Sequence, residues 1–297
     1  MTSTPPLAQR TLLTGNLAGI GCMVAWAAGF PAAEALLVDW DPVPLVLARF
    51  GVALCLLVPL WLAFDGVAAL ARAPWWRGLV VGGLGFGGGA YCILMSQAYT
   101  DPVTVAIFAA ATPLCATVVD WLWLRRGFSA GFLIGLAAAV IGGIVATGGG
   151  VPGSLGLGAL FAILSGLAFS WGSLMTLRDL GDTSVLGRTT LTAIGAFAAL
   201  ALAMALTWAL GQSQFPSAAI LVRDSGLVAV YGLVAFALSQ LLWVTAARAL
   251  GVAVASFHIN IAPFYTMLIL LALGQAWSWP QAIGAGIVAV GVVMAQR

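Results

Sequence analysis

The chain reads as an all-α integral membrane protein, ten transmembrane helices arranged as two five-helix inverted repeats. Three observations lead there. Apolar residues come in runs long enough to cross a bilayer, the arginines fall in alternate gaps between those runs, and the second half repeats short motifs of the first at equal spacing. Hydrophobic residues make up 62% of the 297 and charged residues only 7%. A soluble domain carries about a quarter of its residues charged, so this chain lacks the means to keep a surface wet. A hydrocarbon core of ~30 Å takes roughly 20 residues of helix, and ten such spans leave only short loops and no separate soluble domain.

The spans are read at 12–34, 43–64, 75–98, 103–124, 129–148, 155–177, 185–211, 226–249, 252–273 and 279–296. Arg10 precedes span 1. That run continues to about Ala33, past the length of a secretory signal core, and its removal would spoil the arginine alternation, so it is read as a retained helix. Asp39-Trp40-Asp41-Pro42 separates spans 1 and 2, and Arg72 and Arg77 lie between spans 2 and 3. Asp101-Pro102 precedes span 4, and Arg125-Arg126-Gly127 follows it. Gly148-Gly149-Gly150-Val151-Pro152-Gly153, rich in breakers, divides the chain into halves at 12–148 and 155–296. Arg178 and Arg188 flank the gap between spans 6 and 7, Arg248 ends span 8, and Arg297 ends the chain. The opposite set of gaps holds only Arg223, beside Asp224, and there is no lysine. Cationic side chains are retained on the cytoplasmic side, which predicts a multi-pass protein of the cell inner (cytoplasmic) membrane with both termini inside.

The halves resemble each other. Span 5 reads Ser129, Ile134-Gly135 and Gly142; span 10 reads Ser278, Ile283-Gly284 and Gly291. Spans 4 and 9 carry Pro113 and Pro263, and spans 1 and 6 carry Trp26 and Trp171 at comparable depth. Five crossings per half is an odd number, so the copies must run in opposite senses. Inverted repeats mark secondary transporters, whose substrate site lies near the midplane where the repeats meet.

Further motifs stand in order along nearly the whole chain: Trp26-Ala27-Ala28-Gly29, Leu47-Ala48-Arg49-Phe50, Thr112-Pro113-Leu114, Ala262-Pro263-Phe264, Leu273-Gly274-Gln275 and Ile283-Gly284-Ala285. Together they resemble the drug/metabolite transporter superfamily, EamA type. The resemblance implies an exporter of small metabolites, often amino acids. One departure is that the family often has a glutamate where this chain has Gln275, and the matching loop after span 4 has Arg125-Arg126.

Proline removes a backbone hydrogen bond and clashes with the carbonyl four residues back, so Pro113 and Pro263 free the carbonyls of Ala109 and Ile259. The pair reads either as symmetry-related hinges with bare carbonyls for a substrate amine or as static kinks. The glycines of span 3, Gly87 and Gly88 among them, permit either close packing or local unwinding. Glu34 and Arg49, both near the outer side, are expected to pair across spans 1 and 2, as a clamp or as an outer gate. His258 is either a hydrogen-bonded structural residue or a proton carrier. Asn260 and the face carrying Gln240 and Trp243 are candidates for lining the cavity, the alternative for Gln240 being a helix–helix hydrogen bond. Trp26, Tyr91, Trp171 and Trp243 lie away from the interfacial belt and read either as core packing or as the lining of a midplane cavity suited to aromatic or apolar substrate groups.

No carboxylate sits at mid-membrane, which argues against an ion-coupling relay and for facilitated diffusion. One histidine and no clustered acids argue against an enzyme. No cofactor, metal or nucleic-acid partner is expected. Cys22, Cys55, Cys92 and Cys115 read as small buried hydrophobes. The expected substrate is a neutral or aromatic amino acid or a related metabolite. Sugars, nucleotide-linked compounds or hydrophobic cations are the alternative. The expected assembly is a monomer or homodimer within membrane lipid.

Overall fold

The computed structural model describes residues 6–125, 130–146 and 153–295. Ser129 and the glycine-rich divider at 148–152 therefore lie outside the described residues. Among those described, every regular element is helical. Within the described residues seven helices are long and apolar enough to cross a membrane, and three apolar helices are shorter, Gly131–Ala146, Ser256–Ala272 and Trp279–Met294.

In the first half, α1 (Pro6–Ala27) and α2 (Gly29–Leu36) form one rod, with Ala28 N–H still donating to the Val24 carbonyl at 3.3 Å. Helix α3 (Pro42–Arg72) runs past the expected end at 64 because the chain turns at Gly66 and resumes its helix. Then α4 (Trp75–Val80), a π-helical stretch (Val81–Gly87) and α5 (Gly88–Tyr99) make one rod; α6 (Pro102–Ala110) and α7 (Thr112–Leu124) make the next, and α8 (Ala130–Ala146) follows. The second half comprises α9 (Gly153–Asp179) and α10 (Val185–Ala209). They are followed by α11 (Ala218–Ala229), a second π stretch (Val230–Leu238) and α12 (Ser239–Leu250). Last come α13 (Val252–Ala255), a 3₁₀ stretch (Ser256–Ile261), α14 (Ala262–Ala272) and α15 (Trp279–Ala295).

Local chemistry sets the boundaries. Asp101 accepts from the N–H groups of Val103 and Thr104, each at 3.0 Å, and Pro102 fills the first helical position, where its missing donor costs nothing. Ser184 caps α10 through Gly187 N–H at 2.8 Å. Helix α12 ends at Gly251, whose φ of +81° a side chain would resist. Pro113 and Pro263 do not interrupt helices from within. Each sits in the first turn of a new segment, α7 and α14, just after a break.

The two halves are related by pseudo-twofold packing. Helices α8 and α15 lie against each other in opposite directions. A Cβ at Gly142 would come 2.6 Å from the Gly284 carbonyl oxygen, and one at Gly284 would come 2.5 Å from that of Gly142. A Cβ at Gly291 would meet Ala138 and lie 3.7 Å from Gly135 Cα. Gly135 corresponds to Gly284 and Gly142 to Gly291 in the repeat, so each position touches the other's counterpart, as a twofold requires. The π stretches obey the same relation, since the sequence offset linking Ile134 to Ile283 also links Val81 to Val230. Helix α5 packs on α9 as α12 packs on α1, and α10 packs on the first π stretch as α3 does on the second.

Large apolar side chains cover the outside, among them Leu133 (66% exposed) and Val290 (61%), where a water-facing protein would carry charge. Cys55 is on this exposed surface, contrary to the expectation of burial, whereas Cys22 is buried. A thiol facing lipid pays no penalty that would drive it inward. Polar groups gather at the two ends. At one, Ser184 bonds Asp65 and Arg77 Nη1 donates to the Asp179 carbonyl at 3.4 Å. At the other, Arg223 pairs with Asp39 (2.5 Å) and Asp224 (2.7 Å), and Trp40 Nε1 donates to Asp224 at 2.9 Å.

Candidate functional site

A cavity of about 90 Å³ lies inside the bundle, between the halves. One ordered water needs ~10–15 Å³ on this measure, so the space holds several waters or part of a small organic molecule. Each contributing helix presents a stripe at helical spacing. α1 supplies Cys22, Met23 and Trp26. The first π stretch and α5 supply Gly85, Phe86, Gly89 and Ile93. α9 supplies Ala162, Ser165 and Phe169, and the second π stretch with α12 supplies Phe236, Ser239, Gln240 and Trp243. Arg49 and Phe50 enter from α3, and Ala109 and Thr112 from either side of the break between α6 and α7.

The aromatic wall is interlocked. Phe86 meets Phe169 edge to face at 5.8 Å between centroids, Phe169 lies 5.1 Å from Trp243, and Phe50 lies 4.4 Å from Phe236. Trp243 donates Nε1–H to Ser173 Oγ at 3.2 Å, which fixes the indole against α9. Such rings offer apolar area with few rotamers to freeze on binding.

Hydroxyls in the wall are already committed. Ser165 donates to the Gly89 carbonyl at 2.8 Å, Ser239 to that of Ala235 at 2.8 Å, and Thr112 to that of Ala109 at 2.5 Å. The last contact corrects the expectation of bare carbonyls at the prolines, because the Thr112 hydroxyl takes up Ala109. Ile259 likewise accepts from Ala262 N–H. Both breaks are thus internally satisfied, as backbone at membrane depth must be.

Arg49 is the one charged side chain among the described residues lining this space, and it is 5% exposed. It does not pair with Glu34. Its Nη2 donates to the Ala235 carbonyl at 3.0 Å, and its guanidinium carbon lies 4.4 Å from the Tyr231 ring centroid and 5.5 Å from that of Phe236. Those contacts offset part of the desolvation of a buried cation. Its Nε, like Nε2 of Gln240, is buried with no hydrogen-bond partner among the described residues. Glu34 is exposed instead, on a separate polar pocket of about 170 Å³ with Asp101, Gln275 and Gln281, where Gln281 donates to Asp101 at 2.9 Å.

The structure therefore brings Trp26, Arg49, Gln240 and Trp243 to one cavity and leaves other candidates elsewhere. His258 bonds the Ala255 carbonyl through Nδ1 at 3.1 Å and packs over Gly19. Asn260 is buried off the cavity with Oδ1 unpartnered among the described residues, and Trp171 faces Trp123 at 6.4 Å. Tyr91 is half-buried against the core beside α3. Gly87 ends the first π stretch, facing Ala196 of α10, and Gly88 opens α5; neither lines the cavity, which their neighbours Phe86 and Gly89 do. Phe86, Phe169 and Phe236 were not singled out from sequence. Phe236 had a signal, since with Ser239, Gln240 and Trp243 it completes a stripe one to two turns long.

A membrane bundle whose two related halves run in opposite senses around a central cavity is the architecture of a secondary transporter. The profile of the EamA-like transporter family matches residues 13–148 and again 156–296, and the chain belongs to that family. A Bacillus subtilis (strain 168) protein named as an uncharacterized transporter, YyaM, is 24% identical over 260 residues, covering 83% of this chain and 82% of its own. One solved crystal structure shares the fold with a TM-score of 0.69 at 19% identity, over 95% of this chain and 96% of that one.

Proposed function

We propose that this transporter exports neutral and aromatic amino acids and related small metabolites from the cytoplasm. It crosses the inner membrane ten times, with both ends cytoplasmic, and works by alternating access down the substrate gradient. The observation that carries the reading is the cavity between the halves. Its wall is aromatic, it has room for part of a small organic molecule, and no lining side chain among the described residues is acidic. A hydrophobic cation would meet Arg49 and no counter-charge, and a sugar would find few polar partners on rings and methyls. Both fit less well.

Movement is supported by where the helices are weak. The cavity is flanked by two π stretches and by breaks before Pro113 and Pro263, points at which a rod can bend without losing many hydrogen bonds. Trp26, Trp243 and Gln240 would contact substrate. Gly87, Gly88 and the two prolines would serve as hinges.

Counterflow in proteoliposomes tests this. Aromatic and branched amino acids are expected to exchange saturably, sugars and lipophilic cations to be inert, and the rate to be unchanged when a pH gradient is collapsed. Strict proton dependence would overturn the facilitative mechanism, and exchange of a cation instead of amino acids would overturn the substrate class.

A further inference from the structure

We infer that the cavity recognises its substrate by the carboxylate, held by Arg49, and that the substrate's ammonium goes unread, so that aryl-substituted monocarboxylates are ligands as good as the amino acids. This rests on the cavity being the transport site.

The cavity holds unmet donors but few free acceptors. Arg49 has donors only and no acceptor, in a planar fork that matches a carboxylate. Its Nε has no partner among the described residues, and Ala235, which takes Nη2, is a neutral carbonyl rather than an acid. A buried guanidinium without a counter-anion is costly, and a bound carboxylate supplies the missing charge in a site of low dielectric. Gln240 Nε2, on the same wall, is a second donor without a partner. Its amide can turn either end inward, so Arg49 sets the preference. On the acceptor side the cavity is poor. The hydroxyls of Thr112, Ser165 and Ser239 already donate to carbonyls, and no acidic side chain lines the space among the described residues. An ammonium group would find hydroxyl lone pairs, ring faces and at most the Gln240 amide oxygen there, all of them neutral. The rings of Phe86, Phe169 and Trp243 then favour an aromatic group on the same ligand.

The test uses the full-length wild-type protein in proteoliposomes, with counterflow of labelled phenylalanine and four competitors. Phenylalanine and 3-phenylpropanoate are expected to compete at similar concentrations. Phenethylamine and phenylalaninamide, which lack the carboxylate, are expected to need about 10- to 100-fold more, the worth of one charge-assisted pair. Equal competition by phenethylamine, or an inert 3-phenylpropanoate, overturns the inference. Because these comparisons need no variant, a misfolded Arg49→Met protein would not block them. Where Arg49→Met and Arg49→Lys do fold, binding of 3-phenylpropanoate should weaken by a similar factor in the first and less in the second. Isothermal titration in detergent separates this inference from the transport reading. If no amino acid exchanges yet 3-phenylpropanoate binds and phenethylamine does not displace it, the export reading fails and carboxylate recognition stands. If neither binds, carboxylate recognition fails as well.

Discussion

Replacing Gly284 by alanine tests the pseudo-twofold crossing at a close backbone contact. The added methyl would sit 2.5 Å from the Gly142 carbonyl oxygen and 2.9 Å from the Ala146 nitrogen. Both are backbone atoms that no rotamer change can move, so α8 and α15 must separate by several tenths of an ångström. Overpacking of this kind costs ~1–3 kcal/mol. Alanine also raises helix propensity by ~1 kcal/mol over glycine, which would mask part of the loss. Gly286 removes that ambiguity. It lies on the same helix with nothing within 4 Å of its would-be Cβ, so Gly286→Ala receives the propensity gain alone. The difference between the two variants then reads the clash, ~1–3 kcal/mol, with Gly284→Ala the less stable. Thermal melting of the purified proteins in one detergent measures it. If Gly284→Ala melts at or above Gly286→Ala, the two helices do not meet glycine to glycine, and the twofold argument falls with that contact.

Two further outcomes are expected. Asp101→Ala should lower the melting temperature through loss of a helix cap worth ~0.5–2 kcal/mol, together with its bond from Gln281, whereas Asp101→Asn keeps an acceptor and should lose less; equal melting of the two would refute the capping role. A fluorescent-protein reporter fused after Arg297 should glow and a phosphatase inserted at Gly211 should be active, because the first is read as cytoplasmic and the second as external; a phosphatase active at the C-terminus would reverse the orientation.

The fold was largely legible before any coordinate. Apolar runs, arginine spacing and the glycine motifs of spans 5 and 10 were enough to anticipate an all-helical membrane bundle of two related halves. The motif glycines turned out to be the contact itself. Asp101-Pro102, taken as a gap, also carried a readable signal, since an acid before proline is a helix start. The π stretches were not legible. A run such as Val81–Gly87 is apolar and glycine-rich whether it is wound with four residues per hydrogen bond or five, and the choice depends on what packs around it.

Sequence alone settled what depends on neighbours along the chain: which segments prefer lipid to water, and that one half echoes the other. Those follow from transfer free energies and periodicities that each segment carries by itself. Tertiary structure decided which buried polar groups share a space. Glu34 and Arg49 are close enough in sequence to suggest a pair, yet Arg49 turns to Ala235 and the rings of Tyr231 and Phe236, and Glu34 turns to a separate polar pocket. Thr112, not a substrate, takes up the carbonyl of Ala109. A side chain in a dry interior goes wherever a partner is within reach, and that reach is set by helices far apart in the chain.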